Sequence, residues 1–162
     1  MEGKLRNMTG LYILRGEKVL LLYRQGSRIV NNLYVGAAGG HFEKEELNDA
    51  KACVLRELQE ECDLGEKDIK NLALRYVTFR LKDCEIRQNY YFFADWNAGD
   101  REIFSNEGRL EWHDLQELGK LEMPYSAKYM LEHYVKLGRE NSALYVGTAT
   151  LQGMSFCELQ EI

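Results

Sequence analysis

Two adjacent stretches of the sequence decide the fold: GAAGGHFEKEE at residues 36–46 and DAKACVLRELQEEC at residues 49–62. The first has the glycines of a tight turn, and the second has the apolar periodicity of a long helix. Each helical residue turns by about 100°, so Glu57, Glu60 and Glu61 are expected to share one stripe. The opposite side carries the apolar residues that would dock the helix on a sheet, namely Ala52, Leu55, Leu58 and Cys62.

The acidic stripe is expected to point outward into a cleft. Like charges at this spacing cost an exposed helix roughly a few tenths of a kcal/mol, and more where solvent is partly excluded. A cation would offset that repulsion. Mg²⁺ suits the arrangement because it prefers oxygen ligands, keeps several waters and is commonly shared between carboxylates and substrate phosphates. The alternative interpretation is a solvated acidic face on a surface helix.

The order of these residues resembles the Nudix box of the Nudix hydrolase family, of the MutT-like type. The family pattern is G, five residues, E, seven residues, then R-E-U-x-E-E-x-G-U, where U is aliphatic. The positions of this chain that match the pattern are Gly40, Glu46, Arg56, Glu57, Leu58, Glu60, Glu61 and Leu64.

The chain departs from the pattern at two places. Nine residues, not seven, separate Glu46 from Arg56, which implies a two-residue insertion before the helix and leaves the role of Glu46 open. Asp63 stands where the pattern has its last glycine. We expect the helix to end there in a left-handed conformation, which Asp tolerates less well than Gly.

The resemblance implies an α/β fold, namely a Nudix-type α/β/α sandwich with a mixed β-sheet. It also implies hydrolysis of the pyrophosphate bond of a nucleoside diphosphate linked to another moiety, such as a nucleoside triphosphate or a nucleotide sugar. The reaction would use Mg²⁺, or alternatively Mn²⁺. By the family pattern the metal ligands are Glu57, Glu60, Glu61 and the carbonyl of Gly39, and Arg56 orients the acidic side chains.

A further carboxylate often comes from a loop outside the box in this family. The segment Ser105–Gly108 resembles that loop, and it makes Glu107 a candidate metal ligand or general base. Glu111 is the reserve candidate. The alternative interpretation of Glu107 is an ordinary acidic residue in a turn.

Candidate substrate contacts lie near the glycine turn. Arg24, at the end of the first hairpin, resembles a position from which some family members contact substrate, although it could equally be a solvated strand end. Tyr34, with Asn31 and Asn32, could line a base pocket or close the core. His41 lies on the turn without ligand spacing to another histidine, so we expect a structural or supporting role.

The remaining patterns predict one domain over residues 1–162. Hairpins are expected at Leu11–Leu14 with Val19–Tyr23 and at 72–81 with 89–96, and a second helix is expected between Pro124 and Gly138. Residues 143–162 read as a C-terminal β-hairpin extension, and the sequence leaves open whether that tail makes a homodimer.

Composition excludes several classes of protein. Asp plus Glu number 26 against 21 for Lys plus Arg, and the net charge of −5 disfavours a nucleic-acid polymer as partner. We expect a small-molecule nucleotide substrate, with no signal peptide and no membrane span. The four cysteines show no C-x-x-C pairing, which favours reduced thiols and a cytoplasmic location.

Two other functions remain as alternatives. A non-catalytic nucleotide-sensing module with the same fold usually loses acids from the box, whereas this chain keeps all three. A diphosphate isomerase of the same fold needs a catalytic cysteine, but Cys53 and Cys62 are expected on the packing side of the helix or on its flank.

Overall fold

Strands dominate the computed structural model, which describes residues 3–25 and 32–162. Within these residues there are eight strands and two α-helices, in the order β1 (Lys4–Arg15), β2 (Lys18–Arg24), β3 (Leu33–Gly36), α1 (Ala50–Cys62), β4 (Ile69–Lys82), β5 (Glu85–Trp96), β6 (Gly108–Asp114), α2 (Tyr125–Lys136), β7 (Tyr145–Thr150) and β8 (Gly153–Glu158). Neither helix is long and apolar enough to cross a membrane.

All eight strands form one mixed sheet. Its order is β3-β2-β1-β5-β4-β7-β8, and β6 also pairs with β2. β1 runs parallel to β5, and β4 runs parallel to β7, whereas the other pairs are antiparallel. The predicted α/β class with a mixed sheet is therefore confirmed.

The helices cover opposite faces of the sheet. Successive strand residues point to opposite faces, so Tyr12 faces α2 while its neighbours Leu11 and Ile13 face α1. The core on the α2 side is rich in aromatic rings, including Tyr76, Tyr91, Phe93 and Tyr134. The core on the α1 side is mainly aliphatic, with Val54, Leu58 and Leu64 among its members.

The three predicted hairpins are present as β1–β2, β4–β5 and β7–β8. Two strands were not predicted. β3 is only four residues long. The sequence of β6, GRLEWHD, contains several charged residues and is therefore not typical of a strand. Both pair with β2, so their strand character comes from a partner distant in sequence.

The face that α1 turns to the sheet differs from the prediction. Ala52, predicted to dock, is exposed, and the buried residues are Cys53, Val54, Leu58 and Cys62. Viewed down the helix axis, the side chains of Glu57 and Glu61 project at angles between those of Cys53 and Val54. Both are partly buried, so only Glu60 points outward as predicted.

The ends of α1 have well-defined caps. The Asp49 side chain accepts a hydrogen bond from the Ala52 amide at 2.9 Å, as expected of an N-cap. At the other end Asp63 has φ 53° and ψ 36°, the left-handed conformation that the sequence predicts. Gln59 Nε2 donates to Asp63 Oδ1 at 2.7 Å, which helps to hold a non-glycine residue in that conformation.

Candidate active site

The glycine-rich turn lies against β1. The Thr9 amide donates to the Gly40 carbonyl at 2.9 Å, and the Leu11 amide donates to the Ala38 carbonyl at 2.8 Å. Gly39 has φ 152°, and a Cβ there would overlap the Thr9 carbonyl oxygen; a Cβ on Gly40 would overlap the Glu57 carboxylate. Gly39 is therefore required by its close approach to a strand, whereas Gly40 leaves the space that the Glu57 carboxylate occupies.

Glu57 and Glu61 are the carboxylates that α1 brings to this turn. The Gly39 amide donates to Glu61 Oε2 at 3.1 Å. Burial raises the pKa of Glu61 to about 7; the Gly39 hydrogen bond opposes that rise, and the charges of Glu57 and Glu107 add to it. Burial also raises the pKa of Glu57, against the attraction of Arg56. Two desolvated carboxylates thus repel each other in one place.

Arg56 ties the acidic residues together. Its Nη1 donates to Glu57 Oε1 at 3.0 Å and to Glu60 Oε2 at 2.9 Å. Its Nε and Nη2 donate to the two oxygens of Glu46 at 2.7 and 3.0 Å. Nη2 also donates to the His41 carbonyl at 3.0 Å. One guanidinium therefore contacts three glutamates.

Glu46 takes part in this network despite the two-residue insertion. It is buried, and hydrogen bonds from Arg56 are the largest cause that lowers its pKa to about 2. A short 3₁₀ turn at Lys44–Glu46 precedes α1, and the Glu43 amide donates to Glu46 Oε2 at 2.9 Å. Glu46 therefore reaches the guanidinium although two extra residues separate it from Arg56.

The loop that carries Glu107 is anchored on the end of α1. The backbone amide and the Nδ2 of Asn106 donate to the carbonyls of Glu61 and Glu60, each at 3.1 Å. Glu107 Oε2 accepts a hydrogen bond from Arg24 Nη2 at 3.0 Å. Arg24 and Glu107, two predicted site residues far apart in sequence, therefore form an ion pair close to Glu61.

Tyr34 and Glu111 contact each other rather than the acidic helix. The Tyr34 hydroxyl donates to Glu111 Oε2 at 3.0 Å, and Arg109 also donates to Glu111. The Tyr34 ring packs against Tyr23 and His113. Asn32 lies within hydrogen-bond range of Tyr23 at 3.5 Å, and Asn31 lies outside the described residues.

A cleft of about 980 Å³ lies beside these groups. Gly39, Gly40, Glu57, Glu61 and Arg24 line one part of it. Its floor includes apolar side chains from the sheet and from the segment before α2, namely Met8, Leu22, Leu33, Val35, Tyr91 and Met123. Tyr34 is not among the described residues that line it. The cleft is large enough for a nucleotide-sized molecule.

Sequence reasoning missed a group of basic side chains that line the same cleft, Arg6, Arg80, Lys82 and Arg87. The alternation of Arg80 with Lys82, and of Arg87 with Asn89 and Tyr91, is the period-two signal of one strand face. That signal could have indicated a shared face within each strand. It could not indicate that β1 and β4 lie on either side of β5.

The donor set suits a hard divalent cation. Within residues 3–25 and 32–162 no three Asp, Glu, His or Cys side chains converge as a ready-formed metal site, and Arg56 engages Glu57 and Glu60. Nevertheless, Glu57 and Glu61 offer carboxylate oxygens, which Mg²⁺ and Mn²⁺ prefer. Burial raises the pKa of both, so a nearby cation would relieve their repulsion.

The comparisons with known proteins agree with this geometry. A family model described as the NUDIX domain matches residues 4–134. The mutator MutT protein from Bacillus halodurans superposes with a TM-score of 0.68, covering 94% of this chain and 97% of that chain at 22% identity. An Ap4A hydrolase from C. elegans superposes with a TM-score of 0.63, covering 84% and 99% at 18% identity. These two likenesses show the shared fold.

A curated protein matches over a shorter stretch. The glutamate–tRNA ligase of Cupriavidus metallidurans is 42% identical over 53 residues, which are 31% of this chain and 11% of the ligase. The matched stretch is therefore a small part of that protein, and the ligase activity is not carried over to this chain.

Proposed function

The chain belongs to the Nudix family, whose general activity is hydrolysis of pyrophosphate bonds, and we propose that its substrate is a nucleoside diphosphate linked to another moiety. Nucleoside triphosphates and nucleotide sugars are the two substrate types that the sequence favours. The observation that carries the proposal is the pair of partly buried carboxylates, Glu57 and Glu61, beside Gly39 and Gly40 in a cleft of about 980 Å³. Desolvating two like charges is costly without a cationic partner, and such perturbed groups cluster at functional sites.

We propose Mg²⁺ as the cation, with Mn²⁺ as the alternative. The groups that would hold it are Glu57, Glu60, Glu61 and the Gly39 carbonyl. When bound, it would lower the pKa of the attacking water and offset charge on the leaving oxygen.

The chain's own residues orient the reacting groups. Arg56 holds Glu57 and Glu60 at 3.0 and 2.9 Å, and Asn106 holds the loop of Glu107 against the end of α1. We propose that Glu107 takes a proton from the water as the water oxygen forms a bond to phosphorus. The bond between that phosphorus and the bridging oxygen then breaks, and the electron pair stays on the leaving phosphate.

Arg24 is the substrate contact that the geometry supports. Its guanidinium lines the cleft and is fixed by Glu107. Its Nε is buried without a hydrogen-bond partner among the described residues. Tyr34 is less suited to this role, since its hydroxyl is engaged by Glu111.

A substrate panel tests the proposal. The purified chain is incubated with nucleoside triphosphates, dinucleoside polyphosphates and nucleotide sugars, with magnesium and then with a chelator, and the products are identified. We expect cleavage between phosphates that is lost on chelation. Nucleotide binding without turnover would instead favour the sensing module, and turnover unaffected by the chelator would contradict the metal assignment.

The isomerase alternative fits the site less well. Burial raises the pKa of Cys53 to about 11 and that of Cys62 to about 12. A thiol must lose its proton to act as a nucleophile, so neither cysteine is suited to that chemistry at neutral pH. All four cysteines are free thiols, which supports our proposal of a cytoplasmic location.

We also propose that residues 143–162 belong to the same domain as the rest of the chain. β7 pairs in parallel with β4, and Tyr145 is buried with its ring stacked on Tyr76 at 5.4 Å. Removal of the hairpin would uncover that edge of the sheet. A truncated chain that melts like the full chain would contradict this assignment.

A further inference from the structure

Three arginines lie in one row across three adjacent strands. Arg6 on β1 is in register with Arg87 on β5, and Arg87 is directly opposite Arg80 on β4. All three side chains line the cleft. Like charges directly opposite each other destabilise a sheet, so this row costs stability unless anions compensate it.

Carboxylates of the chain compensate only one part of the row. Arg87 Nε donates to Glu85 Oε2 at 3.1 Å, and Asp83 lies 3.6 Å away. Lys82, which also lines the cleft, is directly opposite Glu85. Within the described residues the ion pairs of Asp83 and Glu85 are therefore made with Arg87.

Arg6 and Arg80 are held by uncharged partners. Arg6 Nε donates to His41 Nε2 at 2.9 Å, and a ring nitrogen that accepts a hydrogen bond carries no proton. The Arg80 guanidinium lies over the Tyr125 ring, 4.5 Å from its centroid. In the described part of the chain neither arginine forms an ion pair with a carboxylate. These contacts therefore position two guanidinium groups without cancelling their charge.

The row lies apart from the acidic end of the cleft. Thr9 and Gly10 contact the Gly39–Gly40 turn, and Arg6 precedes them by three and four residues on β1. At about 3.3 Å per strand residue, the backbone of the row lies roughly 10–13 Å from that turn. The Arg6 side chain reaches back to His41, next to Gly40, whereas Arg80 lies two strands farther on, on β4. At about 4.8 Å per strand, Arg80 is far enough from the turn to bind a phosphate group beyond the diphosphate that is cleaved.

We propose that Arg6 and Arg80, assisted by Arg87 and Lys82, form a second phosphate subsite. The substrate would then carry a further phosphate group away from the cleaved bond. The planar fork of a guanidinium matches phosphate oxygens in two-point hydrogen bonds. This inference rests on the proposed function for its substrate class. The extra phosphate has two possible sources, a longer polyphosphate chain or a phosphomonoester on one of the linked moieties.

Binding of inorganic phosphate in a metal-free buffer tests the subsite without turnover. NMR chemical-shift titration of the wild type is compared with the double variant Arg6→Gln, Arg80→Gln. The control is Arg15→Gln, because Arg15 also lies over an aromatic ring, Trp112 at 4.3 Å, but outside the cleft. We expect phosphate affinity to fall about tenfold in the double variant, equivalent to about 1.4 kcal/mol, and to be unchanged in the control. Equal affinity in wild type and double variant overturns the subsite.

Matched substrate pairs test the substrate class. NADP⁺ against NAD⁺ and coenzyme A against dephospho-coenzyme A differ by one phosphomonoester, whereas a nucleoside tetraphosphate against a triphosphate differs in chain length. We expect wild-type kcat/KM to favour the phosphate-bearing member of at least one pair, which identifies the source. That ratio should fall about tenfold in the double variant. A ratio of one in every pair, or a ratio that the double variant keeps, overturns the substrate class.

The two experiments fail in different ways. If neither these pairs nor any member of the substrate panel is hydrolysed, the proposed function is wrong, while phosphate titration still decides the subsite. If the glutamine variant melts early, the variant Arg6→Lys, Arg80→Lys replaces it. Lysine keeps the charge but lacks the planar fork, so we expect intermediate phosphate affinity. Wild-type affinity in the lysine variant overturns the two-point binding by guanidinium groups.

Discussion

The two helices differ in what they turn toward the sheet. The buried face of α2 is almost entirely apolar, with Ala127, Met130, Leu131 and Tyr134. The inward side of α1 combines apolar residues such as Val54 and Leu58 with the partly buried carboxylates Glu57 and Glu61. Burial of apolar area stabilises the fold, whereas burial of like charges costs stability. The comparison shows that α2 packs on the sheet through an apolar face, whereas α1 gives up part of its packing face to carboxylates.

The largest expected effect concerns the loop docked on α1. Glu107→Gln should lower kcat by about two to four orders of magnitude, because a general base is lost. The melting temperature should change little, since Asn106 still anchors the loop. Kinetics at saturating magnesium measure the effect, and Glu111→Gln is the control with an expected small loss. A loss below about threefold for Glu107→Gln, far under that range, would move the base to α1.

Removal of a charge from α1 should separate activity from stability. Glu61→Gln should lower kcat roughly hundredfold or more, because several kcal/mol of charge stabilisation depend on the cation. Stability should stay the same or rise, since a desolvated charge is removed. Glu60→Gln should also remove most turnover, although Glu60 is exposed. Turnover near the wild-type rate for Glu60→Gln on a confirmed substrate would show that its assignment as a ligand is wrong.

A cavity created under α2 should lower stability and leave activity almost unchanged, the opposite of the result expected for α1. Met130 is fully buried, so Met130→Ala should lower the free energy of unfolding by about 2–5 kcal/mol. Activity per folded molecule should remain close to that of the wild type. Denaturant unfolding and single-turnover kinetics measure the two quantities. A large fall in activity without a loss of stability would break the division between the helices.

Acid should affect the α1 side of the fold through Glu46. Its pKa is lowered from 4.5 to about 2, chiefly by Arg56. The native state therefore gains stability from ionised Glu46 above pH 4.5 and loses it as the pH falls toward about 2. Glu46→Gln should lower stability near neutral pH and flatten this part of the pH dependence. An unchanged slope in unfolding curves across that range would contradict the assignment.

The smallest expected effect lies at the end of α1. Asp63→Gly should remove the steric cost of the left-handed conformation, but it also removes the hydrogen bond from Gln59. The variant should be neutral or slightly more stable, by less than about 1 kcal/mol. Gln59→Ala, measured by the same unfolding curves, isolates the hydrogen bond. A clear loss of stability in Asp63→Gly alone would reveal a contact that the family pattern does not anticipate.

Local signals in the sequence predicted much of the fold. Hairpins, both long helices and the left-handed Asp63 depend on periodicity and capping, and the structure has them where expected. Family membership confirms the predicted Nudix pyrophosphohydrolase. The metal ligands, the base and the substrate contacts stay predictions.

The features that were not predicted depend on contacts between residues far apart in the sequence. β3 and β6 become strands because β2 pairs with both. The Glu57 carboxylate occupies space that a side chain at position 40 would fill. The periodicity of α1 alone does not indicate that Gly40 lies beside Glu57. The three arginines come together because β5 lies between β1 and β4 in the sheet. That strand order is set by long-range pairing, which the local sequence pattern does not reveal.

The two hydrogen bonds from Asn106 to the end of α1 have a consequence for insertions and deletions. Position 107 is defined by its neighbour's attachment to the helix, not by the length of the preceding connection. Insertions between Trp96 and Ser105 that keep the Arg101 contacts with Asp63 and Asp68 should therefore leave Glu107 in place relative to Glu61. Such a chain can change the length of this connecting segment while the relative positions of Glu107 and Glu61 stay the same.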